Sequence, residues 1–185
     1  MISELIKVNR SYRRFEQKAV DTELLRNCIE SARCSASAAN RQRIRFVVVN
    51  DSETSARIFD CLRFAAFLKN WSGPAPSERP AAYIIMMTAN TPDTVTAIDM
   101  GIAAQSILLT AMENGVGGCI FRSYDREKLD GILSRQGYSS EMVIALGYPS
   151  EKAVIVDPID GDLKYYRDEN DVHCVPKLSL DELII

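Results

Sequence analysis

The segment from Asp93 to Asn114 (DTVTAIDMGIAAQSILLTAMEN) constrains the fold of this chain more than any other. Its apolar residues occupy most of the circumference of a helix, which is typical of an element packed on several sides. Asp93 is a suitable N-cap, because its carboxylate can accept hydrogen bonds from the unpaired N–H groups of the first turn. Asn114 and Gly115 suit the left-handed geometry that ends a helix. We therefore expect a central, buried helix.

Helices and strands alternate around this segment. Helical periodicity and caps predict further helices at 21–33 (with Asp21 as N-cap), 52–70 and 125–134. Continuous apolar runs, which are typical of buried strands, lie at 44–50, 81–88, 116–121 and 142–148. The run at 44–50 is expected to be covered on both faces. Four or five strands with covering helices predict an α+β sandwich, whose strand order the sequence leaves open.

The composition excludes several classes of protein. The chain has 185 residues, 46% hydrophobic and 25% charged, which suits one globular domain. A formal net charge of -3 gives no general attraction to nucleic acid or an anionic membrane. The five cysteines are scattered without a C-x-x-C pair, which favours reduced thiols over disulfides or a zinc site. We find no signal pattern and no apolar run near the ~18 residues of a membrane span, so we expect a cytoplasmic protein.

The composition changes after Pro149. Residues 150–185 are polar and rich in turns, with too few apolar side chains for a separate core. We therefore expect a core at 1–149 and a C-terminal extension at 150–185 that wraps over the core or over a partner subunit. Wrapping around a neighbour would bury apolar surface and favours a homodimer, since two-fold pairing is the commonest closed arrangement. A tail folded onto its own chain is the alternative.

Two short stretches are candidates for binding. NRSYRRFEQKAV at 9–20 concentrates three arginines next to Ser11, and CSASAANRQRIRF at 34–46 combines small hydroxyl residues with amides. Guanidinium groups are the preferred partners of phosphate, although charge runs are more often solvated surface. Small residues allow a planar ligand to approach the backbone, while amides can pair with its edge, although a plain loop is the simpler interpretation.

Two stretches, taken in this order, resemble the opening of the nitroreductase family of FMN-dependent oxidoreductases. They are RSYRRF and SARCSASAANRQRIRFVVVND. The stretches DMGIAAQSILLTAMENGVGG and ALGYP continue the resemblance, and the tail resembles a short, single-domain branch. The resemblance implies a central, mostly antiparallel β-sheet flanked by helices, with a C-terminal extension. It also implies bound FMN in a homodimer, NAD(P)H as electron donor, and a nitroaromatic, quinone or enone as acceptor.

The same resemblance implies the site residues. Arg10 and Ser11 would contact the phosphate or ribityl chain of FMN, and Arg13 the pyrimidine edge. Backbone groups at Arg122 and Ser123 would lie near flavin N5, while Lys164 or Arg167 is a weaker candidate for a phosphate contact. Residues from the second stretch would line the flavin, some of them across the dimer interface: Ser35, Ala36, Ser37, Asn40 and Gln42. No metal and no catalytic side chain are implied, because the flavin carries the chemistry.

The chain departs from the family pattern at four positions, which are Asn9, Ala36, Arg43 and Ile44. These departures affect the expected substrate pocket more than FMN binding. Arg14 is expected to be a surface charge, because neighbouring side chains of an extended segment point to opposite faces.

Two rival functions remain open. One is a flavin-binding protein without turnover, such as a sensor. The other, much weaker, is a cysteine hydrolase that pairs Cys34 with the single histidine, His173. The cluster Gly115-x-Gly117-Gly118 lacks the ending of a phosphate loop.

Overall fold

The computed structural model describes residues 1–64, 67–68 and 71–185 and has the predicted α+β class. The helices are α1 (Ile2–Val8), α2 (Thr22–Cys34), α3 (Ser52–Phe59), α4 (Thr94–Glu113), α5 (Arg126–Leu133) and α6 (Leu180–Leu183). The strands are β1 (Arg45–Val49), β2 (Ala82–Thr88), β3 (Gly117–Phe121), β4 (Ser139–Gly147), β5 (Ala153–Val156), β6 (Tyr166–Arg167) and β7 (His173–Pro176). Short 3-10 turns lie at Ala38–Asn40 and Pro76–Glu78.

The main sheet is antiparallel throughout, in the order β1-β2-β4-β3. Its two central strands are almost entirely buried, as their continuous apolar sequences predict. The expectation that the first strand is covered on both faces is wrong. Strand β1 lies at the edge of the sheet, so its residues Arg45 to Val48 stay exposed or half-buried.

Helices cover both faces of the sheet, so the core has three layers. Alternate residues of β2 point to opposite faces. Ile84 and Met86 pack with residues of α2 and α4, and Tyr83 and Ile85 pack with residues of α3 and α5. The predicted sandwich is therefore a sheet between two helical layers.

Helix α4 has the predicted ends. The Asp93 carboxylate accepts a hydrogen bond from the Thr96 N–H at 2.8 Å, and Gly115 has a φ of +74°. Contrary to expectation, its burial is one-sided, since Val95, Ile98 and Ile102 are exposed. By length and mean hydropathy (1.5) this helix could also span a membrane, although no apolar run of that length was expected. Its inner face packs against α2 and the sheet, as in a core helix.

The helix predicted over 52–70 is shorter in the structure and ends at Phe59. Beyond it the chain turns so that Leu62 pairs with Tyr124, and the Arg63 N–H donates to the Ser123 carbonyl at 3.0 Å. These contacts outweigh the helical periodicity of the segment. Residues 65, 66, 69 and 70 of the predicted helix lie outside the described residues.

The N-terminal segment lies against the ends of β3 and β4. Ser11 pairs with Gly118, and Phe15 pairs with Pro149. A Cβ atom at Gly147 would lie 2.8 Å from the Phe15 ring. Gly118 is equally confined, since a Cβ there would lie 2.6 Å from the Leu108 side chain. Close packing therefore accounts for these glycines of β3 and β4 without a phosphate-binding role.

We expect Gly147→Ala to lower the free energy of unfolding by about 1–3 kcal/mol, because the added methyl group must displace the buried Phe15 ring. Gly131→Ala is the matched control, since nothing lies within 4 Å of a Cβ on this residue of α5. The control should gain up to about 1 kcal/mol from higher helix propensity. Urea denaturation measures both, and equal effects would contradict the packing argument.

Strands of the C-terminal segment form a second, small sheet. Strand β7 lies between β5, which is parallel to it, and β6, which is antiparallel. His173 and Cys174 of β7 are buried, and the Ser150 N–H donates to the Arg14 carbonyl at 3.0 Å. The small sheet therefore contacts the N-terminal segment of its own chain. Helix α6, with a Ser179–Glu182 capping box, leaves Leu180 and Leu183 exposed.

Candidate functional site

A cavity of about 260 Å³ lies between the N-terminal segment, α4, β3 and β7. It contains the residues of the first motif, and we call it the arginine cavity. Three cationic side chains line it (Arg10, Arg13 and Lys177), and no carboxylate is among its described lining residues. Ile120 and Leu108 add apolar surface. A cationic cavity with apolar walls suits a ligand that has both an anionic group and a flat apolar part.

Arg13 is held rigidly in this cavity. Its guanidinium donates to the Ser11 carbonyl at 3.2 Å and to His173 Nε2 at 3.0 Å, and it lies 4.8 Å from the centre of the Tyr165 ring. The whole residue is only 8% exposed. Because its geometry is fixed before any ligand arrives, Arg13 is a preorganised positive charge.

Glu151 ties the motif to the C-terminal segment. Its side chain is 2% exposed, and its Oε1 atom accepts hydrogen bonds from the backbone N–H groups of Arg13 and Arg14. Its Oε2 atom accepts from the Arg167 guanidinium. A buried carboxylate that receives three N–H donors fixes the path of the backbone at the motif.

Arg14 is not the surface charge that the sequence suggested. Its guanidinium forms an ion pair with Asp171 and lies 3.6 Å from the Glu78 carboxylate, and its side chain is only 20% exposed. It does not line the arginine cavity. Arg14 instead joins the N-terminal segment to the small sheet, because the tail brings a carboxylate to it.

The surroundings of His173 favour its neutral form. Burial, reinforced by the positive charge of Arg13, lowers the pKa of His173 from 6.5 to about 4. Its Nε2 atom accepts the hydrogen bond from Arg13, so we infer that the proton sits on Nδ1. Nδ1 is buried and has no hydrogen-bond partner among the described residues. The neutral ring leaves the full charge of Arg13 available in the cavity.

This depressed pKa predicts a loss of stability in acid. The unfolded chain takes up a proton near pH 6.5, whereas the folded chain does so only near pH 4. The contribution of His173 to the free energy of unfolding is therefore complete above pH 6.5. It is lost as the pH falls towards 4, a change of about 3 kcal/mol. We expect His173→Gln to flatten the dependence of the unfolding free energy on pH between 7 and 5. Since the chain has one histidine, an unchanged slope would contradict the assignment.

A second cavity, of about 280 Å³, contains residues of the second motif and lies between the end of α2, β1 and α4. We call it the loop cavity. Asp99 of α4, 8% exposed, shapes its wall by accepting hydrogen bonds from Ser37 Oγ at 2.8 Å and the Ala38 N–H at 3.1 Å. The loop also has positive φ angles at Ala39, Asn40 and Gln42 (50°, 52° and 48°). Such strain in residues other than glycine is frequent at functional sites.

The polar residues of the second motif differ in their availability. Gln42 lines the loop cavity beside the small residue Ala36. Ser37 and Ser35 also line it, but both hydroxyl groups already have partners: Ser37 donates to Asp99, and Ser35 Oγ lies 2.7 Å from Ser106 Oγ. Asn40 lies on the exposed surface outside the cavity, where its Oδ1 atom accepts from Gln42 Nε2 at 3.0 Å.

The two cavities lie on different sides of α4 and share no lining residue among the described residues. Ala103 lines the loop cavity, and Leu108 lines the arginine cavity. A separation of five residues along a helix corresponds to about 7.5 Å along its axis and about 140° around it. The exposed residues Ile98 and Ile102 lie on the outer face of the helix. One chain therefore does not bring both motifs to the same cavity.

Comparison with known proteins identifies the family. The family model described as "Nitroreductase family" matches residues 6–148. The chain belongs to the nitroreductase family. A Methanothermobacter thermautotrophicus protein, provisionally named NADH dehydrogenase/NAD(P)H nitroreductase, is 28% identical over 169 residues, which are 87% of this chain and 84% of that protein.

Solved structures share the fold of this nitroreductase-family chain. A nitroreductase family protein from Streptococcus pneumoniae has a TM-score of 0.69 at 21% identity, with 100% of this chain and 99% of that chain covered. An FMN-dependent nitroreductase from Mycobacterium smegmatis, solved in complex with NADPH, has a TM-score of 0.64 at 18% identity. The superposition covers 80% of this chain and 87% of that chain.

The structure places the remaining predicted residues of this nitroreductase-family chain outside both cavities. Arg122 and Ser123 lie exposed beyond the end of β3. The ammonium group of Lys164 lies 3.7 Å from Asp162, and Arg167 is paired with Glu151. Their predicted contacts with a flavin stay predictions.

Two residues that sequence reasoning missed shape the cavities. Lys177 follows the buried strand β7 and lines the arginine cavity as its third cation. Asp99 shapes the loop cavity by accepting a hydrogen bond from Ser37 Oγ. The signal for Asp99 was an acid inside an otherwise apolar helix. The signal for Lys177 was a cation directly after the run CVP, which follows the single histidine. The cysteine hydrolase alternative required Cys34 to pair with His173. Instead, Cys34 Sγ donates to the Glu30 carboxylate at 3.4 Å and His173 Nε2 accepts from Arg13, so this alternative fails.

Proposed function

We propose that this chain is an FMN-dependent NAD(P)H oxidoreductase that passes two electrons through bound flavin to a small organic acceptor of the nitroaromatic, quinone or enone type. The observation that carries the proposal is the arginine cavity, which combines three cations with apolar walls and has no carboxylate in its described lining. The Mycobacterium smegmatis neighbour, whose description combines FMN dependence with bound NADPH, supports the same cofactor and donor.

The residues present fit FMN. Arg10 Nε is buried without a hydrogen-bond partner among the described residues, and Lys177 forms no ion pair among them. Both would hold the phosphate, with Ser11 beside them. Arg13 would face the pyrimidine edge, where its fixed charge stabilises the negative charge that develops on reduction. Bound FMN supplies the two-electron chemistry, and the protein orients it and excludes water.

We also propose a homodimer with the flavin at its interface. The two motifs occupy cavities on different sides of α4, so the arginine cavity of one chain needs the loop cavity of another. The exposed Ile98 and Ile102 of α4 supply apolar surface for such an interface. The exposed Leu180 and Leu183 of α6 add more. These faces would be buried only in an assembly.

Affinity for FMN tests the proposed binding roles. We expect Arg10→Ala and Lys177→Ala each to weaken FMN binding about tenfold to a hundredfold, as the loss of a charge-assisted contact does. Arg14→Ala should change the affinity little, because Arg14 lies outside the cavity, and Arg57→Ala on the exposed side of α3 is a control for lost charge. Flavin fluorescence titration measures all four. Colourless protein that ignores added FMN would overturn the proposal.

A second measurement separates an enzyme from a flavin-binding protein without turnover. NADH or NADPH added without oxygen should bleach the yellow protein, and a nitroaromatic or quinone should restore its colour. Stable yellow protein that neither nicotinamide reduces would favour the sensor alternative.

A further inference from the structure

A third cavity, of about 370 Å³, lies beside α3 and shares no lining residue with the arginine or loop cavity among the described residues. We call it the α3 cavity. Its lining includes Ser55, Ala56 and Phe59 of α3, together with Arg79 just before β2 and Tyr83 of β2. No residue to which we assign a contact with FMN is among its described lining residues.

Two hydroxyl groups in the α3 cavity lack partners. Tyr83 is 0% exposed and Ser55 is 7% exposed. Neither the Tyr83 hydroxyl nor Ser55 Oγ has a hydrogen-bond partner among the described residues. Burial raises the pKa of Tyr83, so its hydroxyl remains a proton donor. Buried polar groups are normally hydrogen-bonded, and two such orphans in the lining of one cavity therefore point to a missing ligand.

The charge in the α3 cavity has one sign. Lys18 and Arg79 line it, and no carboxylate is among its described lining residues. Neither cation forms an ion pair among the described residues, and Arg79 Nε is buried without a partner. The Arg79 guanidinium lies 4.0 Å from the centre of the Phe59 ring, which fixes its position. The Lys18 ammonium group lies 3.8 Å from the centre of the Tyr148 ring, outside the described cavity lining. Arg79 and the two hydroxyl groups are therefore the donors that suit the oxygen atoms of an anion.

The remaining lining combines apolar side chains with the polar residues Gln17, Asn50 and Ser52. Ala56, Phe59, Pro80 and Ala81 line the cavity beside the donors. We propose that the α3 cavity binds a small organic oxyanion, in which a carboxylate or phosphate group faces Arg79, Ser55 and Tyr83 and an apolar body lies against Phe59. The cavity volume of about 370 Å³ accommodates a molecule of the size of a substituted benzene ring.

Titration of the purified protein with added FMN tests this inference. The probes are benzoate and phenyl phosphate as organic oxyanions, and benzamide as the neutral isostere of benzoate. Two-dimensional NMR that follows the Ser55 amide and the Arg79 Nε–H locates the binding. We expect at least one oxyanion to bind tenfold or more tightly than benzamide. The substitutions Arg79→Gln and Tyr83→Phe should each weaken it tenfold or more, whereas Arg57→Gln on α3 should leave it unchanged.

The controls distinguish this site from the proposed flavin site. Arg10→Ala should weaken FMN binding and leave benzoate binding unchanged, since Arg10 does not line the α3 cavity. Tyr83→Phe keeps the apolar packing, so circular dichroism should show a folded protein. The inference is overturned if neither oxyanion shifts the Ser55 and Arg79 signals, which would leave water as the occupant. It is also overturned if benzamide binds equally well or if both cavity variants bind like the unchanged protein.

Discussion

Glu151→Ala is expected to lower the free energy of unfolding by about 3–5 kcal/mol, the usual cost of breaking a buried ion pair by removing one partner. The Glu151 carboxylate is 2% exposed and accepts from two backbone N–H groups and from Arg167, whose side chain is 13% exposed. The substitution leaves the Arg167 charge and two N–H groups without a partner. Because the N–H groups belong to Arg13 and Arg14, we also expect weaker FMN binding.

Glu169→Ala is the matched control, since Glu169 lies in the same C-terminal segment and is exposed. It should change the free energy of unfolding by less than about 0.5 kcal/mol. Glu151→Gln keeps acceptor oxygen but loses the charge, so its effect should lie between the two. Urea denaturation and flavin fluorescence are the measurements. A Glu151→Ala protein as stable as the Glu169→Ala protein would show that this carboxylate does not hold the motif.

Mixed dimers are expected to recover FMN that two defective homodimers have lost. Arg10→Ala/Lys177→Ala damages the arginine cavity, and Ala36→Phe fills the loop cavity with a bulky ring at an exposed position. Each variant alone should lose most of its flavin. In a dimer of one chain of each kind, one interface site combines an intact arginine cavity with an intact loop cavity, and the other site carries both defects.

Co-expression with two different affinity tags yields the mixed dimer. We expect about one FMN per mixed dimer, roughly half the content of the unchanged protein, because one of two sites is intact. Either variant purified alone with both tags is the control. A mixed dimer without flavin would refute a site shared between chains, as would a homodimer of either variant that keeps its full flavin content.

Much of the fold follows from local patterns. Asp21 and Asp93 cap their helices as predicted, and the apolar runs at 81–88 and 142–148 became the central strands. These features depend on groups that are close in the chain, so they can be predicted from the local sequence. The order of the strands depends on contacts between distant segments, and the sequence left it open. The end of α3 at Phe59 has the same cause, since the pairing of Leu62 with Tyr124 competes with helix propensity.

The chain's family follows from the sequence, through the two motifs with Arg10 and Asn40 at their centres, and the match over residues 6–148 confirms it. Tertiary structure alone decided what each charged group of the site contacts. Glu151 lies 138 residues from Arg13, and His173 lies 160 residues from it. An ion pair or hydrogen bond requires proximity in space, and at such separations only the folded backbone provides it. Contacts made in the folded chain also engage Arg14 and Arg167 in ion pairs, with partners 157 and 16 residues away, and leave Lys177 to line the arginine cavity.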